Sequence, residues 1–519
     1  MGRVLVVQMA RIGDFLQTTP LLHKLKTAGC EVHVVTDSSL QELVRGCPDI
    51  DRHFALDLKS LDHNGADLRQ LYRVLHEQCN ELSDMAYDAL YNLNYSFLSA
   101  AIAELPKSHA FYGYALSGDR KKLMRSTWFA FFNAMVQHRS LAPYNLVDVF
   151  HNLAQQHSCL PEKLSYTIPP ALRACVADML KRVRTGDVKK IIAVQLSTRH
   201  VRRQWQLSSF VTTAHRLLDN PEIALVLTGA VADKTLGNTF LRMTEGWVSQ
   251  KKERILNLIG TTTLTELAAV LEQCDLMLTG DTGSMHVAAA VDTPIVALFL
   301  GPANPHWTGP YGKNHIVLQA LPPCTLCTED SSQRCDFSCS RLITPDLVVA
   351  SIEQALYRQP FPEIDTSKVR VLRSTFDAYG IRYEDEGNAA LDARSAWYRM
   401  MGAALLNSRE QQSPSLSSKF QGIPEGTFAG IEYRPEVLLQ QIKVLFHASR
   451  QHPSAVLPYR FDEKFCWWHP WIDFYELLQH YGMCTDQSAH AAFTVGLCAA
   501  AQALQYPDKE KQRKRIYEH

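Results

Sequence analysis

Neither sign of charge prevails in this chain of 519 residues, where 53 lysines and arginines face 53 aspartates and glutamates. Without a net field, nucleic acid is not an expected partner, because binding it would require a local basic patch. No apolar stretch reaches the roughly eighteen residues that cross a bilayer. The longest candidate, from Val287 to Leu300, is broken by Asp292 and Pro294. Met1 to Val7 run directly into Arg11 and Asp14, lacking the basic start, long apolar stretch and small-residue cleavage site of a secretory leader. A cytoplasmic protein is expected. In that compartment most of the thirteen cysteines, single and scattered, read as reduced core thiols rather than as a disulfide framework. The chain also has no Gly-x-Gly-x-x-Gly and no Walker loop, which disfavours a nicotinamide dehydrogenase and a P-loop kinase.

What is present is an ordinary globular composition, 46% hydrophobic and 20% charged, long enough for about three domains. Through about residue 355, short β-branched runs alternate with helical patterns, as in parallel sheets covered by helices on both faces. In the first part Val4 to Val7, Glu31 to Thr36, Tyr87 to Leu93 and Ala110 to Tyr114 read as strands, and Phe15 to Lys26 as a helix. Lys121 to Gln137, basic and aromatic, breaks the alternation and reads as a helical surface insertion. Three prolines between Leu160 and Pro170 mark a boundary. Beyond it Ile191 to Gln195, Ala224 to Thr228, Ile255 to Leu258, Leu276 to Thr279, Ile295 to Leu300 and His315 to Leu318 read as strands. Leu264, Leu267, Ala268 and Leu271 share one helix face, and Thr344 followed by Pro345 opens a closing helix that runs to Tyr357. The expected fold class is α/β, with two Rossmann-like doubly wound domains over residues 1–165 and 170–358 facing a cleft at the carboxyl ends of their sheets. A mainly α-helical addition is expected over residues 361–519.

Three turns fall at that cleft edge. The first strand ends in Ala10-Arg11-Ile12-Gly13-Asp14. Gly13 permits close backbone approach, and Asp14 either caps the following helix or acts as a base toward a bound hydroxyl. The strand from Leu276 runs into Gly280-Asp281-Thr282-Gly283-Ser284-Met285-His286. A turn of this kind opening a helix offers free amides and the positive end of the helix dipole to a phosphate or diphosphate, with simple N-capping as the alternative for Thr282 and Gly283. His286 is either a structural helix residue or a ligand of what the turn binds. The third turn, from Ser197 and Thr198 through Arg199, Arg202 and Arg203 to Trp205, carries hydroxyls and arginines able to neutralise a diphosphate.

The pieces together resemble glycosyltransferase family 9, the family of ADP-heptose:lipopolysaccharide heptosyltransferases. The resemblance rests on Val4 to Val7 through Ile12-Gly13-Asp14 to Thr18-Thr19-Pro20-Leu21-Leu22. It resumes at Leu278-Thr279-Gly280-Asp281-Thr282-Gly283 and continues through Met285 to Ala290, Thr293 to Phe299, Gly301-Pro302, Asn304-Pro305 and Thr308 to Gly312, spanning roughly residues 1–358. It implies a GT-B fold with the acceptor in the first domain and the nucleotide sugar in the second. Asp14 is then the implied general base of an inverting transfer. Thr198, Arg203, Thr282 and Gly283 hold the donor diphosphate, Asp281 and His286 hold the donor sugar, and no metal cofactor is required. Arg203 stands where the heptosyltransferases carry a lysine two residues before a tryptophan. The implied partners are a nucleotide sugar, with ADP-heptose expected, and a lipopolysaccharide core or other glycan; peripheral contact with an anionic inner-membrane surface is what the basic tail from Lys509 to Arg515 would allow. A nucleotide-sugar epimerase of similar fold and a non-catalytic carbohydrate-binding protein are the alternatives.

Cys324, Cys327, Cys335 and Cys339 fall within sixteen residues. Their Cys-x-x-Cys start fits a structural tetrahedral zinc site, with an iron–sulfur cluster or uncommitted thiols as the alternatives. Past residue 361, Ala393 to Leu405 and the segment opened by Pro435 show helical faces, Phe465 to Tyr475 is an aromatic cluster, and Lys509 to Arg515 is a basic tail. Core packing is the blander reading of the cluster, and a solvated helix end that of the tail.

Overall fold

A computed structural model of the chain describes residues 2–57, 77–116, 122–126, 128–129, 144–154, 163–322, 324, 327, 335–361, 363–387 and 399. Residues 1–129 and 144–388 form one compact unit, and 130–143 with 389–519 form a second. The helical faces, aromatic cluster and basic tail expected past residue 388 lie outside the described residues. Among those described, no helix is long and apolar enough to cross a membrane.

The first sheet is built from β1 (Arg3–Val7), β2 (Glu31–Asp37), β3 (Arg52–Leu56), β4 (Ala86–Asn92), β5 (Lys107–Leu116) and β6 (Lys122–Met124), in the order β3-β2-β1-β4-β5-β6. β1 is central because Val4, Leu5, Val6 and Val7 are apolar in succession and buried on both faces, as a covered parallel strand requires. β1 to β5 run parallel, while β6 returns antiparallel to β5, pairing Met124 with Tyr114. The segment expected to be a helical insertion therefore begins as an edge strand.

Between β1 and β2 lies α1 (Ile12–Thr27), which carries Pro20 in its interior. Proline has no N–H for the carbonyl four residues back. That carbonyl, on Leu16, accepts instead from the Thr19 hydroxyl at 2.7 Å, so the helix continues. Two further helices of this half matter to the interface, α2 (Gln41–Arg45) and α3 (Leu146–Leu153), the latter capped by the Asn145 side chain.

The second sheet comprises β7 (Lys190–Gln195), β8 (Ile223–Thr228), β9 (Ile255–Asn257), β10 (Leu276–Gly280), β11 (Ile295–Phe299), β12 (Ile316–Ala320), β13 (Val369–Asp377) and β14 (Gly380–Asp385), ordered β14-β13-β12-β11-β10-β7-β8-β9. β7 to β12 are parallel and follow the expected runs. The helices α4 (Leu264–Glu272) and α5 (Gly283–Ala290) flank β10. The α/β class and the paired Rossmann-like halves hold.

The boundary expected at residue 361 does not. β13 and β14 form an antiparallel hairpin that extends the second sheet beside β12, so the α/β unit continues to about residue 387. Its sequence, Val369-Arg-Val-Leu-Arg-Ser-Thr-Phe-Asp377, interrupts its apolar positions with arginines and lacks the continuous apolar run of the parallel strands. The arginines are paired within the hairpin end, Arg370 with Asp385 at 2.7 Å and Arg373 with Glu386 at 2.5 Å.

The hairpin also joins the halves. The fully buried carboxyl of Asp148 on α3 accepts from the Tyr311 hydroxyl at 2.7 Å and from the Ile381 amide at 3.1 Å. Gly380, with φ of 116°, leaves room for it, since a Cβ there would lie 2.2 Å from the Asp148 Cγ. Tyr383 donates to the Pro310 carbonyl at 3.2 Å, and the Asn145 amide reaches the Gly309 carbonyl at 3.4 Å. On another side of the interface, Glu42 of α2 accepts from the amides of Leu264 at 3.3 Å and Thr265 at 2.8 Å, capping α4 across the domain boundary. Burial pushes this carboxyl up, but those hydrogen bonds and the threonine hydroxyls outweigh it and hold the pKa below the usual range. Asp148→Ala is expected to lower stability by about 2–3 kcal/mol, read as a lower denaturant midpoint, because it removes two buried hydrogen bonds and strips the Ile381 amide of its acceptor.

Candidate active site

The site is assembled where α1 and α5 meet, N-terminus to N-terminus. A Cβ on Gly13 would lie 2.6 Å from Cδ2 of His286, and one on Gly283 would lie 3.2 Å from Cβ of Ile12. Glycine at these two positions lets turns from different domains touch. Asp14 is thereby within one residue of a contact with the Asp281–His286 turn.

Asp14 occupies the third position of α1. Its Oδ2 accepts from the Arg11 amide at 3.2 Å, one half of a capping box whose other half an arginine at the N-cap cannot supply. The backbone amide of Asp14 itself is a second donor to the carboxylate. Burial raises the Asp14 pKa, and the Arg11 amide and charge pull it down without cancelling that effect. Capping the helix does not by itself exclude the reading of Asp14 as a base.

On the facing side, Thr282 caps α5. Its Oγ1 accepts from the Met285 amide at 3.4 Å and bonds the Thr279 hydroxyl at 3.1 Å. Gly283 is the first residue of α5, so its amide belongs to the free first turn that attracts anions. His286 is buried, which pushes its pKa down to about 4, and its Nδ1 has no partner among the described residues. A neutral imidazole thus lies against Gly13.

The arginine turn is laid over the same edge. A Cβ on Gly280 would lie 2.6 Å from Cγ2 of Thr198, and Gly301, at φ of 56°, is so close to Arg202 that a Cβ would lie 2.5 Å from its carbonyl oxygen. The Thr198 hydroxyl donates to the His200 carbonyl at 2.9 Å. Trp205 anchors the end of the turn, buried with its indole N–H donating to the Ile343 carbonyl at 3.0 Å. Arg203 pairs with Asp281, Nη1 to Oδ2 at 2.6 Å, with the aspartate side chain 5% exposed and the arginine 21%. Two residues expected to contact different parts of a donor are therefore joined to each other. The sequence reading passed over Asp233, which follows β8 in a short turn and accepts from the Ala230 amide at 2.8 Å. Its signal was the glycine, Gly229, directly after a strand.

The four clustered cysteines are free thiols, Cys339 buried, Cys327 and Cys335 half-buried and Cys324 exposed. Burial pushes the Cys339 thiol up and the Gly301 amide pulls it back. Among the described residues no three His, Cys, Asp or Glu side chains are grouped to hold a metal.

Two Rossmann-like halves that meet at a carboxylate-bearing turn on one side and an anion-receptive helix start with an arginine on the other define a glycosyltransferase of the GT-B fold. The profile of glycosyltransferase family 9 (heptosyltransferase) matches residues 76–335, half of the chain. The chain belongs to this family. It is 24% identical over 331 residues to lipopolysaccharide heptosyltransferase 2 of Salmonella typhimurium, covering 62% of this chain and 88% of that protein. It is 22% identical over 362 residues to lipooligosaccharide heptosyltransferase 2 of Haemophilus influenzae, covering 68% and 99%. The crystal structure of a family 9 glycosyl transferase from Veillonella parvula superimposes with a TM-score of 0.55 at 21% identity, over 69% of this chain and 98% of that one.

Proposed function

We propose that the enzyme transfers heptose from ADP-heptose to a lipopolysaccharide core acceptor with inversion at the anomeric carbon, working peripherally at the cytoplasmic face of the inner membrane. The observation that carries this reading is the contact of Gly13 with His286, which sets a carboxylate of the acceptor half beside an anion-receptive helix start of the donor half. The heptosyltransferase relatives support the choice of sugar and acceptor.

Asp14 takes the proton of the acceptor hydroxyl as that oxygen bonds to C1 of the heptose. The bond from C1 to the diphosphate breaks on the opposite face, and ADP leaves with the electron pair. Negative charge then grows on the diphosphate, where the amides at the start of α5, including Gly283, the hydroxyls of Thr282 and Thr198, and the Arg203 guanidinium receive it. Arg203, its Nη1 bonded to Asp281 at 2.6 Å, brings the charge of its guanidinium to the phosphates. Neutral His286 and Asp281 orient the sugar hydroxyls, and Asp233, on the same edge of the sheet, accepts from a ribose hydroxyl.

The test supplies ADP-heptose, and ADP-, UDP- and GDP-hexoses, with and without heptose-free lipopolysaccharide. Heptose on the acceptor, inverted at C1 with one ADP released per transfer, is the expected result. Release of a rearranged free sugar without acceptor would identify an epimerase instead, and binding of glycan without turnover of any donor would identify a carbohydrate-binding protein.

A further inference from the structure

We infer that Gln8, with Asn94 behind it, is the positioning residue that sets where the Asp14 carboxylate stands; the inference rests on Asp14 being the base. Gln8 follows β1 directly and is fully buried, an unusual place for a primary amide. Its side chain uses all four of its hydrogen-bonding positions, two of them on the turn that ends in Asp14 and the others on Asn94 and Thr18. Oε1 accepts from the Ala10 amide at 3.2 Å and from Nδ2 of Asn94 at 2.5 Å. Nε2 donates to the Asp14 carbonyl at 3.4 Å and to the Thr18 hydroxyl at 3.1 Å. The Thr18 hydroxyl donates in turn to the same Asp14 carbonyl at 2.9 Å.

Asn94 extends the brace to the neighbouring strand. Its Oδ1 accepts from the Met9 amide at 2.6 Å, and its backbone N–H donates to Oδ1 of Asn92, the last residue of β4, at 3.1 Å. Asn92 is bound to the Tyr114 carbonyl of β5 at 2.7 Å. A chain of three amides thus runs from β5 through β4 to the turn between β1 and α1, meeting Met9, Ala10 and Asp14. None of the three is needed to hold the sheet, whose strands pair through their own backbones. What they brace is the path of the turn from Met9 to Asp14, beside the backbone bond of Gln8 to Val35 and the Arg11 cap, and hence the distance from the carboxylate to the donor. A displacement of the order of 1 Å at such a point costs up to about 10²-fold in rate.

Only a primary amide can occupy the centre of this network, because it must accept twice and donate twice. Glutamate keeps the acceptors, loses both donors and brings a negative charge toward Asp14. Leucine keeps the volume and loses all four bonds.

The experiment measures transfer from ADP-heptose to heptose-free lipopolysaccharide by Gln8→Leu, Gln8→Glu, Asn94→Ala and Asp14→Asn, with ADP affinity by calorimetry as the control for the donor half. Gln8→Leu is expected to lower kcat about 10- to 100-fold with KM for the donor and ADP affinity unchanged. Gln8→Glu is expected to do the same and to move the acid limb of the pH–rate profile upward, since a second carboxylate raises the pKa of the first. Asn94→Ala, at a half-buried position, gives a smaller loss in the same sense and serves if Gln8→Leu does not fold. Wild-type kcat in Gln8→Leu or, where that variant does not fold, in Asn94→Ala, beside an inactive Asp14→Asn, overturns the positioning role and leaves the base intact. Equal losses of kcat and ADP affinity overturn it as well, by showing a merely structural defect. Full activity of Asp14→Asn removes the base, and the inference with it.

Discussion

Asp14→Asn is expected to lower kcat by about 10²- to 10⁴-fold, the contribution of a positioned general base, and to leave ADP affinity unchanged. Asparagine matches aspartate in shape and keeps an oxygen for the Arg11 amide, which Oδ2 of Asp14 holds at 3.2 Å. The cap at the start of α1 is therefore retained while the proton acceptor is lost. If Asp14 served only as a cap, the substitution would leave turnover intact. The pH profile supplies a second readout. Burial raises the Asp14 pKa above its ordinary 3.8, so the acid limb of wild-type kcat lies at higher pH than a free aspartate would give, and the variant lacks that limb. Stability moves the other way. An acid whose folded pKa exceeds its unfolded one favours folding below the unfolded value and loses that contribution as pH rises through the folded one. At neutral pH the charged Asp14 is thus a burden on the fold, and Asp14→Asn is expected to raise the denaturant midpoint there while leaving it unchanged in strong acid. Equal midpoints at both pH values would remove this account.

Arg203→Ala is expected to lower kcat/KM for ADP-heptose transfer by about 10²- to 10³-fold, the usual effect of removing one preorganised donor from a developing charge. It also dissolves the 2.6 Å pair with Asp281, whose side chain is 5% exposed. A buried carboxylate stripped of its arginine typically costs about 3–5 kcal/mol, so the unfolding midpoint is expected to fall alongside the rate. Arg203→Lys separates the two effects. Lysine keeps a point charge for the phosphates but cannot hold Asp281 and present further donors in one planar fork. It should recover most of the stability and only part of the rate. If Arg203→Lys matched the wild type in both, a single charge would suffice and the fork would have no role. A double-mutant cycle with Asp281→Asn measures the coupling directly, and an additive result would mean that the two side chains act on the donor separately.

The halves of the site were legible in sequence for a physical reason. Strands buried on both faces must be apolar in succession, and a strand that hands over to a helix through glycine leaves a visible punctuation. Val4 to Gly13 and Leu276 to Gly283 carry both marks. That the two glycines face the opposite domain, Gly13 against His286 and Gly283 against Ile12, has no local signature, because the partners are some 270 residues apart. The same holds for Glu42 and the amides of Leu264 and Thr265. Gln8 was missed for a different reason, since one buried amide after a strand alters neither period nor composition. The β13–β14 hairpin escaped because its arginines, satisfied by Asp385 and Glu386, make a structured strand look solvated. The pairing of Arg203 with Asp281 joins two turns that sequence spacing could only treat separately.

The hairpin also bears on the order in which the chain is made. Domains generally fold as they leave the ribosome, amino-terminal end first. Here two donors to the buried Asp148 of the first half, the Tyr311 hydroxyl and the amide of Ile381, are synthesised long after it. Until residues 369–385 emerge, β12 is also an unpaired apolar edge open to other chains. A chain halted at residue 358 would therefore expose a sheet edge and lack the Ile381 amide that donates to Asp148. Recombinant fragments of this enzyme should be cut no earlier than about residue 387, and nascent chains shorter than that are the ones a chaperone would be expected to hold.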